Sequence, residues 1–479
     1  MKSAGRAIEA VGAELVPRLQ ERTEQAFRQA RKTGRSTLAS VSGQLATTVD
    51  PAASVLLGVR DGLDWAVLEQ PDNQRSSVAA LGSVTSLTSS GGKRFSDVAS
   101  QWRELVRLGK FDESEGPSGT GPIAIGGFAF SDGPAGAGPW AEFGPASLTV
   151  PSLALRRVGD TTWASLQTCV DPDDSVEGAV AAAEAAIAGL DWQGDLAGLQ
   201  PELSAQPARV SSVLSAAHYE SAVSGAIEAL REGRITKVVL AREVIVERDT
   251  DHDPAAVFAV LREAFPSCFN YAIGRGESTF IGASPELLVR REGARAATIA
   301  LVGSAPRSAD PSVDDHIGER LLRSDKDRRE QAIVTDRIVA SLNPHSVWVN
   351  PAAEPSVAKV ANIQHLATPI RAQLRDSVSA VELLGALHPT PAVGGEPWSE
   401  AQTVMNETEG MDRGWYAAPI GWTDGAEDGE FCVALRGALL KGREARCYAG
   451  VGVVEGSDPA SELAETELKL QAMLPVLTT

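Results

Sequence analysis

The sequence predicts an α+β protein, and three observations carry that reading. The second half mixes helical periodicity with strand-like runs whose Gly-bounded turns suit antiparallel pairing. No regular strand–helix–strand alternation runs along the chain, which argues against a doubly wound parallel sheet. No short-period repeat is present. At 479 residues, with 43% hydrophobic and 22% charged residues, the chain is long enough for a large core.

Taken in order, residues 1–35 read as one or two helices, with Leu15, Leu19 and Phe27 on a stripe that Pro17 interrupts. From 36 to 110 the pattern is short and strand-like. SVLLGVRDG and DWAVLEQ are expected as two strands around a turn at Asp61-Gly62. FSDVASQWRELVRLG (95–109) has helical spacing, and DESEGPSGTGP (112–122) is a loop by composition. IAIGGFAF (123–130) is an apolar strand, followed by the Gly/Pro-rich loop 131–140. ASLTVPSLALRRVGD and TTWASLQTCV are expected to form another hairpin. Residues 171–215 begin Ala-rich and acidic, suiting a helix, and continue as an irregular surface crossing with several prolines.

The second half is clearer. In AAHYESAVSGAIEALREGR (216–234), Tyr219, Val223, Ile227 and Leu230 recur at helical spacing. The strand ITKVVLAREVIVE (235–247), the helix PAAVFAVLREAF and the hairpin FNYAIGRGESTFIGASPELLVRREG follow. ARAATIALVG is a further strand, and DKDRREQAIVTDRIVASL (325–342) a helix. Beyond the loop ALHPTPAVGGEP (386–397), the segments 414–422, 431–440 and 448–459 read as a Gly-bounded hairpin, with Arg436 in an apolar strand. GSDP (456–459) supplies a start for a last helix containing SELAETELK.

Composition excludes some functions. Forty-four basic against 63 acidic residues give a formal charge of −19, which argues against a nucleic-acid groove or an anionic membrane surface as main partner. The cysteines at 169, 268, 432 and 447 form neither CxxC nor zinc spacing and are expected to be reduced, in a cytoplasmic protein. The N-terminus lacks the apolar core of a signal peptide, and no apolar run approaches the length of a membrane span.

Four segments, with the acidic terminal helix, carry chemistry. In ITKVVLARE, Lys237 sits among Ile235, Val238, Val239 and Leu240. Desolvation there would favour its free amine as a base, although an edge-strand lysine in water is the plainer alternative. In FIGASPELLVRR, Glu286 follows Pro285 in apolar surroundings that suit a raised-pKa proton donor; a solvated strand-end acid is the alternative. Asp327 and Glu330 stand i, i+3, as do Glu462 and Glu465, while Glu467 turns away. Two helices presenting acids in this way can clamp a hard cation such as magnesium, or can simply face water. The loop 386–397, rich in Pro and Gly with few charges, suits binding. Arg436, if buried, needs an anionic partner such as a carboxylate.

From about 216 to 475, these ordered segments resemble the chorismate-utilising enzymes: the isochorismate, salicylate, anthranilate and aminodeoxychorismate synthases. HPTPAVGG (388–395) is similar to the isochorismate synthase form of its loop, and 50–75 and 95–130 are similar to the N-terminal part of those enzymes. The resemblance implies two antiparallel sheets packed as a sandwich with helices outside. It divides the chain into a helical segment 1–35, an N-terminal part 36–215 and a chorismate-binding part 216–479 that continues it. The implied reaction is addition of water at C2 of chorismate with loss of the C4 hydroxyl.

The resemblance also implies roles. Lys237 matches the water-activating base and Glu286 the acid that protonates the leaving hydroxyl, at the family's usual spacing. Glu330 and Glu465 match direct magnesium ligands, and Asp327 and Glu462 the outer pair acting through water; Asp327 departs from the more usual Glu. Arg436 and Tyr416 match the pair holding the enolpyruvyl carboxylate. Gly303 and Ser304 match a loop meeting the ring, and Gly450 and Gly452 backbone donors to a carboxylate. Lys469 matches a lysine one turn past the metal glutamate. His365 matches a histidine on the ring and metal side, with a purely structural histidine as the alternative. No residue chooses the pathway; the general look of the chain favours menaquinone synthesis, by a monomer, with a siderophore pathway and a salicylate synthase on the same scaffold as the alternatives.

Overall fold

The computed structural model describes residues 11–479 apart from 59–61, 134–137, 204, 361–362 and 376–377. Two sheets dominate it. The larger, of 13 strands, starts at the edge strand Arg209–Ser212 and continues through Lys237–Glu247, Glu444–Val453, Gly437–Lys441, Ser278–Ser284 and Phe269–Arg275. It then passes to first-half strands, from Trp65–Gln70 to Thr37–Gln44 and Lys110–Phe111. Its neighbours are antiparallel except the last pair. The smaller, of 10 strands, runs from Ser346–Pro351 through Ile363–Leu374, Arg295–Pro306, Leu287–Glu292, Gly429–Val433 and Pro419–Asp424 to first-half strands ending at Thr85–Thr88.

Each sheet therefore joins a block of strands from one half of the chain to a block from the other. Apolar side chains of the two sheets, including Leu240, Tyr271 and Phe280 from one and Ile125, Val289 and Phe431 from the other, share one core. The opposite face of the larger sheet is covered by helices, among them Val16–Thr33, Val176–Gly189 and Pro254–Ala264. The α+β sandwich read from the sequence stands. Among the described residues no helix is long and apolar enough to cross a membrane.

Several local expectations need correction. SVLLGVRDG does not open with a strand. Pro51–Leu56 is a helix whose start is capped by Asp50, which accepts from the Ala53 amide at 3.1 Å. An Asp-Pro start outweighs the β-branched content that suggested a strand. Asp61 of the expected turn lies outside the described residues. Pro17 does not interrupt its helix. It sits in the first turn, where a missing N–H costs little, and the buried stripe runs Leu19, Thr23, Ala26 and Ala30. ASLTV (146–150) belongs to the smaller sheet, so only Leu153–Val158 and Thr161–Val170 form the expected hairpin.

Two corrections shape the site. After the hairpin Phe269–Arg275/Ser278–Ser284, the chain crosses to the smaller sheet, so Glu286 lies at a sheet-to-sheet crossing rather than within a hairpin. Arg436 is likewise not in a strand. It lies where the chain returns from Gly429–Val433 to Gly437–Lys441, with a left-handed φ of 49°.

Candidate active site

The two crossings run side by side. The Val433 amide donates to the Glu286 carbonyl at 3.0 Å, and the Ala283 amide to the Arg436 carbonyl at 3.2 Å. This pairing places one acid and one guanidinium at the mouth between the sheets, on a cavity of about 300 Å³. Glu286 is buried, and desolvation pushes its carboxyl up to about 8, against the pull of Lys237 and Lys469.

Arg436 is also buried, and burial pulls its guanidinium down from its ordinary value. Among the described residues no carboxylate lies within 4 Å of it, and its Nη1 has no hydrogen-bond partner. Nη2 donates to His365 Nε2. The other ring nitrogen, Nδ1, donates to the Gly303 carbonyl at 2.7 Å, so the tautomer follows from its partners. Burial first, then the Arg436 charge, hold the His365 pKa well below its ordinary value. A neutral histidine thus orients the arginine.

Opposite strands of the larger sheet supply another wall. Val239 pairs with Gly452 and Ala241 with Gly450. Lys237, two residues earlier, is fully buried just beneath the lining, and its Nζ lies 2.8 Å from Glu330 Oε1. The strand position read from the sequence therefore holds, with a consequence it did not contain: the expected base is ion-paired with an expected metal ligand. A Cβ at Gly452 would stand 2.5 Å from Glu330 Oε1 and 3.0 Å from Lys237 Cε, so a side chain there would push these two groups aside. Gly303 interrupts the pairing of Arg295–Pro306 with Ile363–Leu374 at a bulge, with φ of 65°, and turns Ser304 into the cavity.

Two helices complete the cavity. Ser324 caps the helix Asp325–Leu342, its Oγ accepting from the Asp327 amide at 3.3 Å. Asp458 caps the helix Pro459–Leu470 by accepting from the Ser461 amide at 2.9 Å. The i, i+3 spacing then presents Asp327 and Glu330 from one, and Glu462 and Glu465 from the other, to the same cavity. Glu467 turns away to Arg242, as expected. Lys469 reaches Glu465 at 3.0 Å and donates to the Gly450 carbonyl at 2.9 Å. Tyr416, stacked on Tyr448 with ring centroids 5.2 Å apart, lines the cavity near Gly450.

All the predicted site residues thus gather here, thirteen on the lining and Lys237 behind it. Sequence reasoning missed Lys326, which donates to Glu462 at 3.1 Å. A lysine amid acids in DKDRRE was the available signal. Tyr448 was missed as a lone aromatic in a strand. Ala392 and Val393 bring the Pro/Gly loop onto the lining.

Hard oxygen donors on two facing helices suit magnesium chemically. Burial raises the pKa of both Asp327 and Glu462, and neighbouring carboxylates add to the rise, which marks an excess of negative charge. Among the described residues no three His, Cys, Asp or Glu side chains form a ready metal cluster. Three carboxylates are turned to lysines instead: Glu330 to Lys237, Glu462 to Lys326 and Glu465 to Lys469. The donor set fits the ion, with lysine ammoniums as its present counter-charges.

Fold and cavity define a class: α+β sandwich enzymes that hold a small anionic molecule between two antiparallel sheets. The chain belongs to the chorismate-binding enzyme family, whose model matches residues 25–478. It is 37% identical over 405 residues to the salicylate biosynthesis isochorismate synthase of Pseudomonas aeruginosa, covering 83% of this chain and 82% of that one. It is 31% identical over 466 residues to isochorismate synthase MenF of Bacillus subtilis, covering 94% and 96%. Among solved structures it is similar to MenF, the menaquinone-specific isochorismate synthase from Escherichia coli. The TM-score is 0.76 at 25% identity, covering 96% of this chain and 99% of that one.

Proposed function

We propose that this protein is a magnesium-dependent isochorismate synthase. The observation that carries the reading is the buried Arg436, charged, oriented by His365 and lacking any carboxylate among the described residues, at a cavity lined by a buried acid and backed by a buried lysine. Chorismate has two carboxylates. Arg436 and Tyr416 would take the enolpyruvyl carboxylate. Magnesium, held by Glu330 and Glu465 with Asp327 and Glu462 acting through water, would neutralise the ring carboxylate.

The chain's own groups do the proton work. Lys237 as free amine takes a proton from water as its oxygen bonds to C2. The ring double bonds shift, and the C4–O bond breaks. Glu286 gives its proton to the departing hydroxyl, which leaves as water. A carboxyl pushed up to about 8 by burial holds that proton at neutral pH. Because Lys237 Nζ lies 2.8 Å from Glu330 Oε1, that contact must loosen before the amine can act. We place the product in menaquinone synthesis. The support is that the MenF proteins of Bacillus subtilis and Escherichia coli match nearly end to end, whereas the salicylate-pathway relative matches less of the chain.

The deciding experiment incubates the protein with chorismate, with and without magnesium, and identifies products by chromatography with mass detection. Isochorismate formed only with magnesium, without salicylate or pyruvate, is the expected result. Salicylate plus pyruvate would move the protein to the lyase branch. Deletion of the gene, with quinones and siderophores measured, separates the pathways: loss of menaquinone is expected.

A second prediction concerns Arg436. Arg436→Met is expected to raise KM by roughly 10–10²-fold, from the loss of charge-assisted hydrogen bonds. Its melting temperature should fall little, because among the described residues the buried guanidinium has no ionic partner. An unchanged KM would remove Arg436 from substrate binding.

A further inference from the structure

Arg413 lies behind the cavity wall, buried, five residues past the helix Trp398–Thr408. Its guanidinium makes a dense set of contacts. Nε donates to Glu409 Oε2 at 2.9 Å, and Nη2 donates to Glu409 Oε1. Nη1 donates to the Val393 carbonyl at 2.8 Å, and Nη2 to the Val239 carbonyl at 2.9 Å. The Arg413 carbonyl accepts from the Tyr416 amide at 2.8 Å. Glu409, itself buried, accepts from the Ala241 amide at 2.9 Å. Phe130 packs against the guanidinium, its ring centroid 4.3 Å away.

Val239, Val393 and Tyr416 all line the cavity. One buried ion pair therefore joins three separate wall pieces: the strand carrying Lys237, the Pro/Gly loop, and the segment carrying Tyr416. The strand and the loop also bond directly, the Val239 amide donating to the Gly394 carbonyl at 2.7 Å and Lys237 and Val238 pairing with Glu396 and Gly395, so what the ion pair adds is the tie from both of them to the segment carrying Tyr416. A planar guanidinium can hold a carboxylate and two carbonyls at once, whereas an ammonium on a flexible stem has three donors and no fork.

We propose that Arg413, braced by Glu409, is a positioning residue for the reaction. It sets the placement of the segment carrying Tyr416 against the strand at Val239 and the loop at Val393, and with it the placement of substrate against Lys237 and Glu286. The kinetic part of this proposal rests on the isochorismate synthase reading.

The test compares wild type with Arg413→Lys by steady-state kinetics on chorismate, thermal melting, and deuterium exchange of the loop peptide spanning 389–395. A misplacement on the order of 1 Å is expected to lower kcat by about 10²-fold while KM changes by less than about threefold. Faster exchange in the loop should accompany the loss, with the variant still melting cooperatively. A mere stabilising role would lower the melting temperature and leave kcat of the folded enzyme intact. That result, a rise in KM alone, or unchanged loop exchange would overturn the proposal. Should Arg413→Lys not fold, Glu409→Gln carries the same test, because it keeps an acceptor oxygen and removes the charge. Failure of both to fold would also overturn it, making the pair a folding element. If wild type is inert on chorismate, the reaction assignment fails, and loop exchange still decides whether Arg413 holds the wall.

Discussion

Glu286→Gln is expected to lower turnover by about 10²–10⁴-fold, the range that a positioned general acid contributes. Glutamine fills nearly the same volume but has no proton to give. Wild-type kcat/KM should fall as pH rises through about 8, where the buried carboxyl of the free enzyme loses the proton it must donate. Stability should follow the same group. Its folded pKa of about 8 lies above the ordinary 4.5, so its contribution is fully present below 4.5 and is lost as pH rises through about 8. Glu286→Gln cannot ionise. Its melting temperature should therefore match wild type near pH 5 and exceed it near pH 9. Near-wild-type turnover, or the same high-pH loss of stability in the variant, would refute this role.

Lys237→Ala is expected to lose turnover to a similar degree, about 10²–10⁴-fold, and to show a second effect tied to the ion pair. Lys237 is fully buried and Glu330 nearly so, at 2.8 Å. Removing one partner of such a pair leaves a buried charge unpaired, at a cost of about 3–5 kcal/mol. In magnesium-free buffer the variant should therefore melt well below wild type. Added magnesium should recover part of that loss, since Glu330 regains a counter-charge, and should do so without restoring turnover. Calorimetric melting with and without magnesium checks both parts. An unchanged melting temperature in magnesium-free buffer would mean that the ion pair does not support the fold. Preserved turnover would remove Lys237 as the base.

Much of the fold was legible because its signals are local. The helix Asp325–Leu342 was read at its observed bounds, and the structure adds the Ser324 cap that starts it. The carboxylate sets were legible for the same reason: i and i+3 share a helix face wherever the helix goes. The Pro51–Leu56 error has the opposite cause. Its apolar run is too short for periodicity to separate helix from strand, and only the Asp50 cap decides it.

The sequence by itself determined the α+β class, the extent of the long elements, the family resemblance and the residue types at the site. These are properties of neighbours along the chain or of ordered motifs. Only the tertiary structure decided that Glu286 and Arg436 occupy paired crossings between sheets. Only it paired Lys237 with Glu330, set His365 beneath Arg436, and tied three wall segments to Arg413. Those contacts join residues far apart in sequence. They arise when two sheets close over a shared core and bury their charged groups together, so that each must find its partner there or await a ligand.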